Sequence, residues 1–161
     1  MDEPVYERFD TKAGFQAAVE RLLQQEGRDL RVFDPDGEAL KLNDPGRIAL
    51  FERFLLASRA RRLHLVVHET DHISRRCPRM LMLLARFSHA IQINRTGEEI
   101  RELQDAFLVL DAMHYVRRPV AAMFRGAIGV ADETEGLAMR GRFLEIWAAS
   151  YPAVSSTTAG L

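Results

Sequence analysis

The segment Gln104-Asp-Ala-Phe-Leu-Val-Leu-Asp111 decides how the rest of this chain is interpreted. Phe107 to Leu110 is a short apolar run that ends at an aspartate, which is typical of a buried strand followed by a turn. Two further strand candidates follow closely, Met113 to Val116 and Ala127 to Ala131. We therefore expect three short strands with short connections in the C-terminal half.

Upstream of this segment, helical and extended patterns alternate along the chain. Asp44 followed by Pro45 is a strong helix start, because aspartate caps the first turn and proline suits the first helical position. The predicted order is a helix from Thr11 to Gly27, a strand at 30–33, a helix from Asp44, a strand at 63–67, a polar loop, a helix from Pro78, a strand at 90–94, a short helix from Thr96 to Leu103 and, after the three strands above, a helix from about Asp132.

Strands that alternate with helices at these lengths imply crossover connections and a parallel sheet. The sequence therefore predicts an α/β fold with three layers, in which a mixed, mostly parallel sheet is flanked by helices. We expect an N-terminal extension over residues 1–10, one α/β domain over 11–152 and a polar tail over 153–161.

Composition narrows the function classes. The 161 residues carry a formal net charge of −1, which argues against a nucleic-acid or membrane-surface partner. Cys77 is the single cysteine, so no internal disulfide can form. Neither a signal peptide nor a membrane-spanning run is apparent, and we expect a cytoplasmic protein that needs no cofactor.

The order of elements resembles one half of a phospholipase D-like protein. The resemblance rests on RGAIGVAD (125–132), RFLEIW (142–147) with its Phe-x-x-x-Trp pattern, and the apolar run that ends at Asp111. The chain also resembles a bacterial domain of unknown function placed in that superfamily, through segments such as VFDPD (32–36), LNDP (42–45) and RCPR (76–79).

The resemblance implies a His-x-Lys-(four residues)-Asp motif, and counting shows that this motif is missing. If Asp111 is the motif aspartate, the histidine and lysine positions hold Gln104 and Ala106, and no His-x-Lys occurs anywhere in the chain. In the superfamily the histidine attacks phosphorus and the lysine holds the phosphoryl oxygens. A glutamine amide cannot act as that nucleophile and alanine carries no charge, so we expect no phosphodiesterase activity of this type.

Two groups of residues are candidates for ligand binding. The resemblance places His114, Arg117 and Arg118 beside the former phosphate site, and with His68 they are the candidates for anion binding. Asp34, His68, Asp71 and His72 follow two predicted strands and are candidate metal ligands, although a solvated loop explains the same pattern and we expect no metal. Cys77 lies among arginines and is either a reactive thiol or a small buried side chain.

These observations predict a non-catalytic binding or assembly domain of the phospholipase D-like superfamily. We expect it to form a homodimer or to bind a protein partner, and to recognise a phosphate or another small anion. The alternative is a hydrolase that acts on a phosphate ester or nucleotide through a relocated site built from His68, Asp71, His72 or His114. An accessory role beside an acyltransferase-type enzyme is a third hypothesis, which no residue supports directly.

Overall fold

The computed structural model describes residues 3–155, whose strands join in one sheet with helices on both faces. The elements, in chain order, are β1 Val5–Phe9, α1 Lys12–Leu23, β2 Asp29–Asp34, α2 Pro45–Leu56, β3 Arg62–Val67, α3 Asp71–Arg76, α4 Pro78–Arg86, β4 Ile91–Thr96, β5 Ala106–Leu110, β6 His114–Arg118, β7 Gly126–Val130, α5 Glu133–Ala148 and β8 Ser150–Val154. Two single 3₁₀ turns, Glu38–Leu40 and Glu98–Ile100, complete the described chain.

The strand order within residues 3–155 is β1-β7-β6-β5-β2-β3-β4-β8. Only the β2–β3 and β3–β4 pairs are parallel, and these are the pairs that the helical crossovers predict. The other pairs are antiparallel, so the prediction of a mostly parallel sheet is wrong. For β5–β6 and β6–β7 the reason is that these strands follow each other too closely for crossovers, which need about a dozen residues or more.

Three of the predicted helix starts are confirmed by single hydrogen bonds. The Thr11 hydroxyl accepts from the Gly14 N–H at 3.0 Å, and the Asp44 carboxylate accepts from the Arg47 N–H at 3.0 Å. The Asp132 carboxylate accepts from the Glu135 N–H at 3.3 Å and begins α5. Each cap satisfies an amide that the first helical turn leaves unpaired.

Several elements differ from the sequence-based expectation. Residues 5–9, expected to be part of an extension, form the edge strand β1, whose VYERF sequence has too few buried side chains to stand out. The expected polar loop after β3 contains the six-residue helix α3, of which only Ile73 is buried. Thr96 lies within β4 and does not cap a helix. β8 crosses the expected boundary at residue 152, and residues 156–161 of the expected tail lie outside the described chain.

The side chains of the sheet divide between two faces. On one face, here called the α1 face, Val116 packs with Phe15 and Val19 of α1. On the opposite face, the α5 face, Tyr115 packs with Phe143 of α5. Because strand side chains alternate, consecutive residues of β6 belong to opposite faces.

α5 covers only part of its face. It packs on β2, β4, β5, β6 and β8, while β7 and β1 lie toward the other end of the sheet and border a groove. Within residues 3–155, no helix combines the length and the apolar character that a membrane span requires.

Two glycines of α5 make a matched test of this packing. A methyl group at Gly136 would collide with the Ala112 carbonyl in the β5–β6 turn, whereas one at Gly141 would meet open space. We expect Gly136→Ala to lower the free energy of unfolding by about 1–3 kcal/mol through overpacking. Gly141→Ala should raise the free energy of unfolding by about 0.5–1 kcal/mol through helix propensity. Urea unfolding monitored by circular dichroism measures both, and equal effects of the two substitutions would contradict this packing.

Candidate functional site

The residues at the positions of the missing motif lie at the start of β5. Ala106 is 2% exposed and is paired in the sheet with Arg118 of β6. Gln104 precedes the strand with an exposed side chain, and its carbonyl accepts a 2.7 Å hydrogen bond from the Ala121 N–H. No nucleophile or cation projects from either position.

Asp111 forms the turn that ends β5. Its backbone has a φ of 54°, and its carboxylate accepts hydrogen bonds from the N–H groups of Arg28 at 3.1 Å and Asp29 at 2.9 Å. Aspartate tolerates this left-handed backbone better than most residues do. The side chain therefore ties the β5–β6 turn to the start of β2.

A buried ion pair lies at the position of the expected phosphate site. Arg118 is 3% exposed, and its guanidinium donates to the carboxylate of Asp34 at the end of β2. β5 lies between β2 and β6, and its Phe107 is paired with Phe33, the neighbour of Asp34. The Arg118–Asp34 pair therefore spans β5 at the level of Ala106, whose small side chain leaves room for it.

Both partners of the pair are well supplied with other contacts. Arg118 also donates to the Ala121 carbonyl at 2.6 Å, and its guanidinium lies 4.6 Å from the centroid of the Phe15 ring. Asp34 accepts from the Gly37 N–H at 2.7 Å. Burial raises the pKa of the Asp34 carboxyl, and the Arg118 charge and the backbone N–H groups oppose this rise. Burial also lowers the pKa of Arg118, against the opposing effect of Asp34.

The cavity beside this pair is unsuited to an anion. Its volume is about 400 Å³, and Lys12 and Arg118 are the cations that line it. Three carboxylates, those of Asp34, Asp36 and Glu38, line it as well. Because the carboxylates outnumber the cations, the position of the expected phosphate site carries no excess positive charge.

The four anion-binding candidates do not converge. Arg117 and Arg118 are neighbours in sequence but lie on opposite faces of the sheet, and only Arg117 is exposed. His114 lies on the same face of the sheet as Arg118 but at the other end of β6. Its Nδ1 accepts a hydrogen bond from the Ala131 N–H at 3.0 Å. The alternation of β6 therefore separates the group that the sequence placed together.

His68 has both ring nitrogens engaged within the fold. Its Nε2 lies 2.8 Å from the Leu103 carbonyl and its Nδ1 lies 2.7 Å from the Thr96 hydroxyl. Because a carbonyl only accepts, we assign the proton to Nε2, which leaves Nδ1 to accept from Thr96. His68 thus joins β3, β4 and the segment before β5, and neither nitrogen points to a ligand.

The metal candidates do not form a site. Asp34 is paired with Arg118, Asp71 is exposed in the first turn of α3, and His72 is half-buried. Among residues 3–155, no group of three or more His, Cys, Asp or Glu side chains could hold a metal ion. Of the two interpretations of Cys77, the buried one holds, since burial raises the pKa of its thiol.

The α5 face carries a groove that was not predicted from the sequence, and we call it the arginine groove. Its volume is about 580 Å³. Its floor is β7, where Ala127 is paired with Arg8 of β1 on one side and with Arg117 of β6 on the other. Arg125 lies two residues before Ala127, on the same side of the sheet. Three arginines, Arg8, Arg117 and Arg125, therefore border one end of the groove.

Next to the arginines, two tyrosine side chains border the groove on neighbouring strands. Gly129 of β7 is paired with Tyr6 on one side and Tyr115 on the other, and the Tyr115 ring lies so close to Gly129 that a methyl group there would collide with it. The Tyr115 hydroxyl donates to the Asp132 carboxylate at 3.0 Å. A detectable signal existed, because Tyr-x-Arg occurs in both flanking strands, at 6–8 and 115–117. This repeated pattern indicates a shared surface only when residues 5–9 are known to form a strand.

Comparisons with known proteins agree with this architecture. The phospholipase D family member Nuc from Salmonella typhimurium superposes with a TM-score of 0.70 at 11% identity, over 95% of this chain and 100% of that chain. NucT from Helicobacter pylori gives a TM-score of 0.61 at 9% identity, over 94% and 100% of the two chains. At these identities the likeness shows the fold alone, and it confirms the expected phospholipase D-like α/β fold.

TrmBL2, described as an archaeal chromatin protein with a novel mode of DNA binding, superposes with a TM-score of 0.67 at 8% identity. The match covers 92% of this chain, which spans 54% of that protein's chain. No curated protein matches the sequence. The family described as Domain of unknown function (DUF7931) matches residues 11–156. That match extends over most of the sequence, and the chain therefore belongs to the DUF7931 family.

Proposed function

We propose that this chain is a non-catalytic binding domain built on the phospholipase D-like fold. The observation that carries the proposal is the buried Arg118–Asp34 ion pair at the level of Ala106. An active site of this superfamily needs a free cation and a nucleophile there. Here Asp34 neutralises Arg118, and Gln104 and Ala106 supply neither a cation nor a nucleophile.

Anion recognition is part of the proposal, and its site differs from the one expected. The cavity beside Arg118 is lined by more carboxylates than cations. Arg117, by contrast, is exposed on the α5 face and makes no ion pair or hydrogen bond through its side chain within residues 3–155. A guanidinium in this state is available for a bidentate contact with a phosphate or carboxylate.

The alternative of a hydrolase with a relocated site finds no comparable support. His68 has both nitrogens engaged, and the metal candidates do not gather within the described chain. DNA binding, named for the archaeal chromatin protein, is not proposed for this chain, because a net charge of −1 gives no overall attraction for a polyanion.

Self-association completes the proposal. The strands β1 and β8 form the edges of the sheet in the described chain, and each leaves one row of backbone groups unpaired by another strand. Such rows can pair with a second copy. Pro152 interrupts β8, whereas β1 contains no proline, so β1 is the better edge for pairing between two copies.

Removal of one member of the buried pair tests its structural role. We expect Asp34→Asn and Arg118→Met each to lower the free energy of unfolding by about 3–5 kcal/mol, because each leaves a buried charge uncompensated. The double variant should be destabilised by less than the sum of the two. Arg86→Met, which breaks the exposed Arg86–Glu52 pair, is the control and should cost at most about 1 kcal/mol. Additive single effects in urea unfolding would contradict the structural role.

Catalytic inactivity is tested with bis(p-nitrophenyl) phosphate, a general phosphodiester substrate. We expect no release of p-nitrophenolate above the buffer blank, with or without added divalent cations, because no described residue replaces the motif nucleophile. The assay is run across the gel-filtration peak of the protein. Turnover that follows the protein peak and disappears in His114→Asn would support the hydrolase alternative and overturn the proposal.

Self-association is tested by sedimentation velocity over a range of protein concentrations. We expect a dimer at high micromolar concentration, since an exposed five-residue edge strand can pair with its copy. A species that remains monomeric throughout the range would remove self-association from the proposal and leave the binding function to be judged by itself.

A further inference from the structure

The arginine groove is bordered by three arginine side chains that have no ion pair within the described chain. Arg8 and Arg117 flank Ala127 on neighbouring strands, so their Cα atoms lie about 10 Å apart across two strand spacings. Arg125 lies on the same side of the sheet. None of the three side chains makes a hydrogen bond or an ion pair within residues 3–155. A shared anion would relieve their mutual repulsion.

The environment of these arginines contrasts with that of Arg118, which lies beside Arg117 on β6. Arg118 is buried, pairs with Asp34 and contacts the Phe15 ring, so its charge stabilises the fold. Arg117, one residue earlier, is exposed and keeps its charge free. The charge of Arg118 thus stabilises the fold, whereas the charge of Arg117 is available to a ligand.

Beyond the arginines the groove becomes apolar. Ala127 forms a flat floor, because its methyl group rises little above the sheet. Tyr6 is 59% exposed and Met123 is 47% exposed, and both border the groove. Exposed large apolar side chains beside a cavity are typical of a surface that packs against a ligand.

The far end of the groove carries hydrogen-bond acceptors. Asp132 and Glu135 line it, and Asp132 already accepts from the Tyr115 hydroxyl. Burial, followed by the hydrogen bond to Asp132, raises the pKa of Tyr115, so the hydroxyl stays protonated and keeps its role as donor. Glu135 is exposed and can accept from a hydroxyl or an amino group.

We propose that the arginine groove binds a small phosphate ester. Its phosphate lies among Arg8, Arg117 and Arg125. Its organic part lies over Ala127 and beside the Tyr115 ring, with hydroxyl or amino groups directed toward Asp132 and Glu135. A cavity of about 580 Å³ falls within the range of roughly 300–1,000 Å³ that small-molecule sites occupy. The inference rests on the proposed function in one respect, that the ester is held and not cleaved.

The test is isothermal titration calorimetry with adenosine 5′-monophosphate, glycerol 3-phosphate and inorganic phosphate, with adenosine as the ligand that lacks the anion. We expect at least one ester to bind more tightly than inorganic phosphate, since it also contacts the apolar floor, and adenosine alone to bind weakly or not at all. Affinity should fall as salt rises, because the contacts to the phosphate are ionic.

Substitutions separate this groove from the rest of the surface. Arg117→Gln and Arg8→Gln should each weaken ester binding by about tenfold or more, because each removes a charge-assisted contact. Arg117→Lys should recover part of the loss. Arg53→Gln is the matched control, because Arg53 is an exposed arginine of α2, and it should leave binding unchanged. Exposed positions keep all four variants folded, which circular dichroism verifies.

Each outcome bears on the proposal. Absence of binding by every ester, both the soluble ones and phosphatidic acid in vesicles, overturns it. Equal binding by Arg117→Gln and the unsubstituted protein overturns it as well. Binding only to vesicles that contain phosphatidic acid, lost in the same two glutamine variants, supports the phosphate contact and identifies a lipid headgroup as its source. Hydrolysis of a bound ester would contradict the proposed non-catalytic function and leave the groove assignment intact, so the two failures are distinguishable.

Discussion

The Arg118–Asp34 ion pair is the constraint on which the structure around the start of β5 depends. A buried pair must recover the cost of removing two charges from water, and it does so only with additional hydrogen bonds. Here those bonds come from the Ala121 carbonyl and from the Gly37 N–H, which the turn after β2 brings to Asp34. Gly37 adopts a φ of 84°, a backbone conformation that suits glycine. Position 106 must also be small, because the pair crosses β5 there.

Because side chains alternate along β6, its two arginines lie on opposite faces of the sheet. Arg118 points to the α1 face, where helices and aromatic rings cover it, and Arg117 points to the α5 face. α5 packs on β2, β4, β5, β6 and β8, whereas β7 and β1 border the arginine groove. The neutralised Arg118 and the cationic groove therefore lie on opposite sides of one sheet.

The sequence predicts local structure well where a single residue carries the signal. Thr11 and Asp44 begin their helices as expected, and the apolar run before Asp111 forms β5. β1 was missed, because VYERF shows no apolar alternation to separate an edge strand from an extension. The prediction of a mostly parallel sheet was wrong, because helical crossovers fix the relative direction of β2, β3 and β4 alone.

The candidate site was harder to predict, because it depends on register. Arg117 and Arg118 form one cluster in sequence, yet only the strand geometry shows that they face opposite ways. Arg8 lies more than a hundred residues from Arg117, and their meeting over Ala127 follows from two independent pairings. No spacing rule within one segment contains that information.

The wall of the arginine groove is also part of the fold. Tyr115 lies over Gly129, and its hydroxyl donates to Asp132, the residue that caps α5. The same side chain therefore bounds the groove and helps to fix the start of the helix beside it. A ligand that binds only the folded groove stabilises the native state by mass action. Because Tyr115 joins the groove to α5, that stabilisation extends to the helix that closes the second half of the core.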